Sequence, residues 1–321
     1  MILTVTINPL LERRLTYKNA LFKTGNRNGK LNLKAGGKGI NVSRQLNLLQ
    51  IQNIALTFAG GLNGKLFKEE LKKEEIKNSV VQTKSETREC SVIINQSTKK
   101  VASFFSENSF VSDSEVHAFT SQMEKMIENS EMVIFSGSSP CKEADSIFPA
   151  GIEIANKLGK ISFCDTYGNH LQDCIDASPT LLHNNLEEIE TSLNVTIPDE
   201  TQISDFLDKL YSKGIKQVFI TNAEKDFYSS NFDFHYKVSL PKIDVVDSTG
   251  SGDAFVAGII YGWVKKLTFS EQVLFASSLG MNNAKSFDVC NIASDVSGSF
   301  INQIKIEPVG KKIKLIDDSP H

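Results

Sequence analysis

Residues 114–140 read SEVHAFTSQMEKMIENSEMVIFSGSSP, a helical pattern from Ser114 to Asn129 followed by the short apolar run Met132 to Phe135. The same order returns twice: Ala144 to Leu158 precedes Ile161 to Cys164, and Ser204 to Lys213 precedes Val218 to Thr221. Helix then strand at this pitch predicts an α/β chain with a parallel sheet and helices on both faces. Ligands of such sheets bind outside the strand carboxyl ends. Several predicted ends carry polar or glycine-rich sequence: Asn8-Pro9, Gly60-Gly61, Ser136-Gly137-Ser138-Ser139-Pro140, Asp165 and Asn185.

The pattern extends towards the amino terminus. Ile2 to Ile7 reads as a first strand, and Val42, Leu46 and Leu49 stand at helical spacing within Asn41 to Gln50. Ile54 to Phe58 is another short apolar run, followed by a helix over Lys65 to Lys77 whose stripe is Leu66, Phe67, Leu71 and Ile76. Ser91 to Ile94 and Val101 to Phe105 flank a polar stretch and read as a hairpin, which is assigned to a lid. Ile243 to Val246 reads as a strand leading into a glycine turn, and the chain becomes polar after Lys311.

With 321 residues the chain exceeds the usual single core, which predicts one large α/β domain with a lid or two domains sharing a cleft. Hydrophobic residues at 40% and charged residues at 23% exclude disorder as the main state. The formal net charge of −3 gives no basic field for nucleic acid or anionic lipid, so any anionic ligand must be caught locally. No apolar run reaches the roughly 20 residues of a membrane span. Met1 to Ile7 lacks the features of a signal peptide, and a cytoplasmic location is expected. The five cysteines have no C-x-x-C spacing and are expected to be reduced; the scattered histidines do not suggest a metal held by the protein.

Two glycine clusters carry the chemistry. Asp247-Ser248-Thr249-Gly250-Ser251-Gly252-Asp253-Ala254-Phe255 opens an apolar segment, so the amides of Gly250, Ser251 and Gly252 fall at a helix N-terminus, where anions are stabilised. Asp253 reads either as a general base beside a phosphoryl-transfer site or as a helix-start charge. Gly36-Gly37-Lys38-Gly39-Ile40-Asn41-Val42 again precedes a helix; close backbone approach plus Lys38 suits a polyhydroxylated anion, and a flexible turn with a solvated lysine is the alternative. Neither classical nucleotide signature fits. Gly60 to Lys65 is one residue short of a P-loop, and Phe255 stands where a dinucleotide fingerprint needs a small residue.

Gly36 to Arg44 resembles the first signature of the PfkB branch of ribokinase-like carbohydrate kinases, and Asp247 to Phe255 resembles the second. Thr6-Ile7-Asn8-Pro9, Thr87-Arg88, Ser136-Gly137-Ser138 and Asn185-Leu186-Glu187-Glu188 are similar to further blocks, so the likeness runs from Met1 to about residue 295. Thr87-Arg88-Glu89-Cys90, Tyr236-Lys237-Val238 before Pro241, and Leu279 to Ala284 are similar to tagatose-6-phosphate kinases, with 1-phosphofructokinases as close neighbours. The resemblance implies one ribokinase-like domain over residues 1–321, with a Rossmann-type sheet flanked by helices and a small β-sheet lid from segments 10–35 and 84–110. It implies magnesium-dependent transfer of the ATP γ-phosphoryl group to a sugar hydroxyl, and a homodimer through the lid.

Carried over by position, Asp253 would be the base and the amides of Gly250, Ser251 and Gly252 the anion hole. Glu12, Arg27, Gly37, Lys38, Asn41, Arg88 and Ser138 would bind the sugar phosphate. Asn185, Glu188, Thr221, Ala223, Thr249, Gly250, Gly252 and Asn283 would lie on the ATP side, magnesium being held mainly through ATP phosphates and water with Glu188 acting indirectly. Asn185 and Glu188 read equally as a helix cap. The chain departs from the family pattern at Glu12, usually Asp, and at Phe104, usually acidic. It departs again at His183-Asn184-Asn185, usually lysine-proline-asparagine, and at Ala223 and Asp226, usually glycines. The leading expectation is a tagatose-6-phosphate kinase. The alternatives are a 1-phosphofructokinase, a catalytically weak regulator that binds nucleotide or phosphosugar, and a kinase of unphosphorylated sugars or nucleosides, which Arg27, Lys38 and Arg88 disfavour.

Overall fold

The computed structural model describes residues 1–21, 23–293, 295 and 298–309, so the polar stretch after Lys311 lies outside the described residues. Along the chain run β1 (Ile2–Thr6), β2 (Leu10–Tyr17), β3 (Lys30–Gly36), α1 (Lys38–Leu48), β4 (Asn53–Gly60), α2 (Gly61–Lys73) and β5 (Asn78–Thr83). Next come β6 (Glu89–Asn95), β7 (Lys100–Phe105), α3 (Asp113–Glu128), β8 (Met132–Ser136), α4 (Ile147–Lys157), β9 (Ile161–Asp165), α5 (Leu171–Asp176) and β10 (Leu181–Asn185). The remainder is α6 (Leu186–Leu193), α7 (Glu200–Ser212), β11 (Gln217–Thr221), β12 (Phe227–Asn231), β13 (Phe234–Ser239), α8 (Ser251–Val264), α9 (Phe269–Ala284) and β14 (Lys305–Val309).

The large sheet has the order β14-β13-β12-β11-β10-β9-β8-β1-β4-β5. From β5 to β11 every pairing is parallel. Side chains alternate between two cores, as the pleat requires. In β8, Val133 and Phe135 join a cluster with Phe119, Phe148 and Ile152, whereas Met132 and Ile134 join one with Val42, Phe255 and Ile259. Burial on both faces explains why these strands read as unbroken apolar runs.

Three sequence expectations are corrected. The sheet is mixed: β12, β13 and β14 pair antiparallel, because the segment Asn222–Asp226 between β11 and β12 is too short for a parallel crossover. Ile243 to Val246 is not a strand; the amides of Val246 and Asp247 donate to the Ala284 carbonyl at the end of α9, at 2.8 and 3.2 Å. The helix expected from Ala144 starts at Ile147, which places Pro149 in the first turn, where its missing N–H costs no hydrogen bond. Ala144 closes a separate short 3₁₀ turn.

Helix α8 is buried nearly all round, and two of its glycines admit α9: a Cβ on Gly258 would stand 2.5 Å from the Ala276 Cα, and one on Gly262 would stand 2.5 Å from the Gln272 Cγ. A second, four-stranded sheet has the order β3-β2-β6-β7, with β2 and β6 parallel. Both of its excursions leave the carboxyl end of the large sheet. β2 follows β1 through Ile7 to Pro9, and β6 follows β5.

Candidate active site

Strand carboxyl ends line up across the large sheet, with Ser136 opposite Asp165 and Asn185 opposite Thr221. The chain reverses its direction of travel across the sheet between β1 and β8, the kind of place where open α/β sheets bind ligands. Side chains meet across this point. Asn8 Nδ2 donates to Ser138 Oγ at 3.0 Å and to Asn108 Oδ1 at 3.1 Å. Arg88 joins the group, with Nη2 donating to the Asn8 carbonyl and Nη1 to Asn108 Oδ1, each at 3.1 Å. Its guanidinium is paired with no carboxylate among the described residues, and its Nε is buried without a partner. Burial pulls its pKa below the ordinary arginine value.

Gly250 caps α8 with φ 77, a conformation open to glycine without strain. The turn exposes helix amides. Among the described residues those of Gly250, Gly252 and Asp253 have no partner, whereas the Ser251 amide is taken by the Ser248 carbonyl at 3.1 Å. Asn283 braces the turn by donating to the Thr249 carbonyl at 2.8 Å and to Ser251 Oγ at 3.2 Å.

Asp253 is buried below this amide cluster, where Asn41 Nδ2 donates to its Oδ2 at 2.7 Å. Arg44 Nη1 binds Asn41 Oδ1 at 2.7 Å, which fixes the amide with its nitrogen towards Asp253. Oδ1 of Asp253 has no partner among the described residues. Burial pushes this carboxyl up to about 7; Asp165 and Glu188 add to the rise, and Lys38 and the Asn41 hydrogen bond oppose it. A carboxylate that titrates near neutrality suits a general base.

Gly37 starts α1 with φ 122, which brings Lys38 towards the same place. The Lys38 ammonium lies 3.3 Å from Asp165 Oδ1 and 2.8 Å from Glu188 Oε1. Burial disfavours its charge, but Asp165, Glu188 and Asp253 outweigh this and hold it above the ordinary lysine value. Asp165 is raised by burial and lowered more by Lys38 and His183, so it stays ionised. It also accepts from Ser136 Oγ at 2.6 Å and from His183 Nδ1 at 2.9 Å, while His183 Nε2 lies 3.2 Å from Thr221 Oγ1. Asn185 and Glu188 form a reciprocal capping box at the start of α6, so the structural role expected for them is realised.

Glu12 faces the first glycine cluster, its Oε1 being 2.9 Å from where a Cβ on Gly36 would stand, and Arg14 Nη1 binds its Oε2 at 2.7 Å. Arg27 is exposed in the loop between β2 and β3 and bonds to none of these residues. The site thus brings together Glu12, Gly37, Lys38, Asn41, Asn185, Glu188, Thr221, Asn283 and the Gly250–Asp253 turn, with Arg88 and Ser138 at its β1–β8 side. Asn108 and Arg14 were not singled out from the sequence. Arg14 had a signal, since residues two apart on a strand share a face with Glu12; Asn108 had none.

A family model described as pfkB family carbohydrate kinase matches residues 11–295. The chain belongs to this family. It is therefore a carbohydrate kinase, and the family implies ATP as its phosphoryl donor. Tagatose-6-phosphate kinase from Staphylococcus epidermidis is 26% identical over 309 residues, covering 95% of this chain and 99% of that protein. A Thermotoga maritima protein described as "Possible 1-phosphofructokinase" superposes with TM-score 0.85 at 25% identity, over 96% of this chain and 99% of its own. Phosphofructokinase-2 from Escherichia coli, solved with fructose-6-phosphate, has the same fold with TM-score 0.80 at 19% identity, over 94% and 98% of the two chains.

Compared with the family pattern, the loop after β11 of this carbohydrate kinase carries strain. Ala223, where the pattern has glycine, adopts φ 49. Left-handed backbone at a residue with a Cβ costs about 1–2 kcal/mol. Ala223→Gly is expected to raise stability by about 1 kcal/mol, read as a higher urea midpoint with unchanged slope. An unchanged or lower midpoint would show that the loop carries no such strain. Beside this loop lies a cavity of about 930 Å³, lined by Leu186, Asn222, Asp226, Tyr228, Leu240 and Ile243 among others.

Proposed function

We propose that this protein transfers the γ-phosphoryl group of ATP to a hydroxyl of a ketohexose phosphate, with tagatose 6-phosphate as the favoured substrate. One observation carries the phosphate in the substrate: Arg88, whose Nε is buried without a partner and whose Nη atoms bond only to neutral groups, has no counter-anion among the described residues beside Ser138 and Asn8. A guanidinium fork in that state suits phosphate oxygens. The favoured sugar follows the kinship to tagatose-6-phosphate kinase and not a contact of the site. Fructose 1-phosphate is the second candidate, supported by the Thermotoga maritima neighbour.

Asp253 Oδ1 takes the proton of the attacking hydroxyl while Asn41 holds Oδ2. The amides of Gly250, Gly252 and Asp253 stabilise the charge that spreads over the transferring group. Glu12 meets sugar hydroxyls, Thr221 and Asn283 flank the nucleotide phosphates, and the cavity beside Asn222 receives the rest of ATP. The residues also fit magnesium. Asp165 and Glu188 converge on one cation, the Lys38 ammonium, and so place two carboxylates together. That donor set matches an ion carried mainly by nucleotide phosphates and water, and its chemistry there is to neutralise phosphate charge.

The test is ADP release with ATP and magnesium from tagatose 6-phosphate, fructose 1-phosphate, fructose 6-phosphate and the free sugars. Turnover of one phosphate and slow turnover of its free sugar is the expected result. Faster turnover of a free sugar would overturn the role of Arg88, and ATP binding with no turnover of any sugar would favour a regulator. We also propose assembly through the outer face of the small sheet, where Leu31 and Phe104, which the strand register places on one face, are more than half exposed. A relative, phosphofructokinase-2 from Escherichia coli, has an inhibited tetrameric form. A monomer mass for the active preparation would exclude this assembly. In the chain as described, no helix is long and apolar enough to cross a membrane.

A further inference from the structure

Three contacts tie the small sheet to a single loop of the main body. Arg14 Nη2, on β2, donates to the Phe287 carbonyl at 2.6 Å. Lys34 Nζ, on β3, lies 3.6 Å from Asp288 Oδ1. The Phe287 side chain packs on the cluster of Leu10, Cys90, Val92 and Ile94, all of the small sheet. The same loop then runs under the helix turn. A Cβ on Gly250 would lie 2.3 Å from Val289 Cγ1, and Cys290 Sγ donates to the Gly250 carbonyl at 3.3 Å. The Cys290 amide binds Asn283 Oδ1 at 2.7 Å, and Asn283 is the side chain that braces Thr249 and Ser251. Four consecutive residues therefore touch the small sheet at one end and the helix turn at the other.

Arg14 stands at the start of this path with both arms in use. Nη1 holds Glu12 Oε2 at 2.7 Å, with the two side chains 5% and 11% exposed, and Nη2 holds Phe287. We propose that Arg14 is a positioning residue: it fixes Glu12 beside the sugar and, through Phe287 to Cys290, fixes the loop on which Gly250 rests. The inference rests on the proposed reading of Glu12 as a sugar contact and of the Gly250–Asp253 turn as the phosphoryl side. Sugar capture under the small sheet and alignment of the helix turn are then coupled through one guanidinium. The guanidinium uses a separate nitrogen for each partner, a spacing that an ammonium, with all its donors on one nitrogen, does not reproduce at this position.

Steady-state kinetics and amide hydrogen exchange on the full chain test this. Arg14→Met is expected to raise the sugar-phosphate KM and also to lower kcat by about 10–100-fold, because the displaced turn no longer meets the phosphoryl group. Arg14→Lys should recover most of the sugar KM by pairing with Glu12 while kcat stays low. Asp288→Asn, at an exposed side chain, should lower kcat about two- to fivefold. Exchange at residues 286–290 should accelerate about tenfold in both Arg14 variants. An effect confined to the sugar KM, or exchange of the loop at the parental rate, would overturn the proposal. If Arg14→Met does not fold, parental kcat in both Arg14→Lys and Asp288→Asn overturns it. If the parent itself turns over no sugar phosphate, the functional reading falls, and exchange of the loop still decides whether Arg14 holds it.

Discussion

Asp253→Asn is expected to keep the fold and both ligands and to lose turnover by about 10²–10⁴-fold, the contribution of a positioned base. Asparagine preserves the shape and can still accept from Asn41, so the loss isolates proton removal. In the parent, kcat should rise with pH through an apparent pKa near 7, because burial holds the Asp253 carboxyl there and only its ionised form accepts a proton. The sign of the stability effect is opposite. A carboxyl whose folded pKa of about 7 exceeds the ordinary value of about 3.9 binds its proton more tightly when folded, so stability falls as pH rises between those values. The asparagine variant should lack that slope and unfold at a higher temperature at pH 8. Parental turnover by the variant would show that another group takes the proton and that Asp253 serves only as a helix-start charge.

Arg88→Met is expected to raise the sugar-phosphate KM about 100-fold, which corresponds to about 3 kcal/mol of charge-assisted hydrogen bonding. The free sugar should be turned over as slowly as before, since it presents no phosphate to this side chain. Arg88→Lys should recover only part of the loss, because the guanidinium uses separate nitrogens for the Asn8 carbonyl and Asn108 Oδ1. Equal loss for phosphorylated and free sugars would instead make Arg88 a brace between the small sheet and β1. The two variants separate the ends of the reaction. Asp253→Asn acts on kcat at the hydroxyl that receives the phosphoryl group, and Arg88→Met acts on KM at the phosphate already present.

The helix-start turns of the two glycine clusters were legible because their geometry is local. Gly37 and Gly250 take positive φ at helix starts, and a helix start fixes where amides and the following side chains point, so Lys38, Asn41 and Asp253 could be found from spacing. The helix-strand alternation was legible for the same reason, since each element's own periodicity records which faces are buried. The antiparallel edge was not legible, because pairing direction depends on how short connections meet a finished sheet. Lys38 shows the limit most clearly. Its sequence neighbours suggested a partner for sugar phosphate, but its charge is met by Asp165 and Glu188, which the order β8-β9-β10 brings beside α1.

The sequence by itself thus determined the α/β class, the two helix-start turns and the base candidate between them, all set by interactions within a few residues. Only the tertiary structure decided which charges compensate one another, leaving Arg88 without a counter-anion among the described residues, enclosing Lys38 between carboxylates and binding Arg14 to both Glu12 and Phe287. Charge compensation acts through space over a few ångströms, and the residues it joins here lie as far apart in the chain as Lys34 and Asp288.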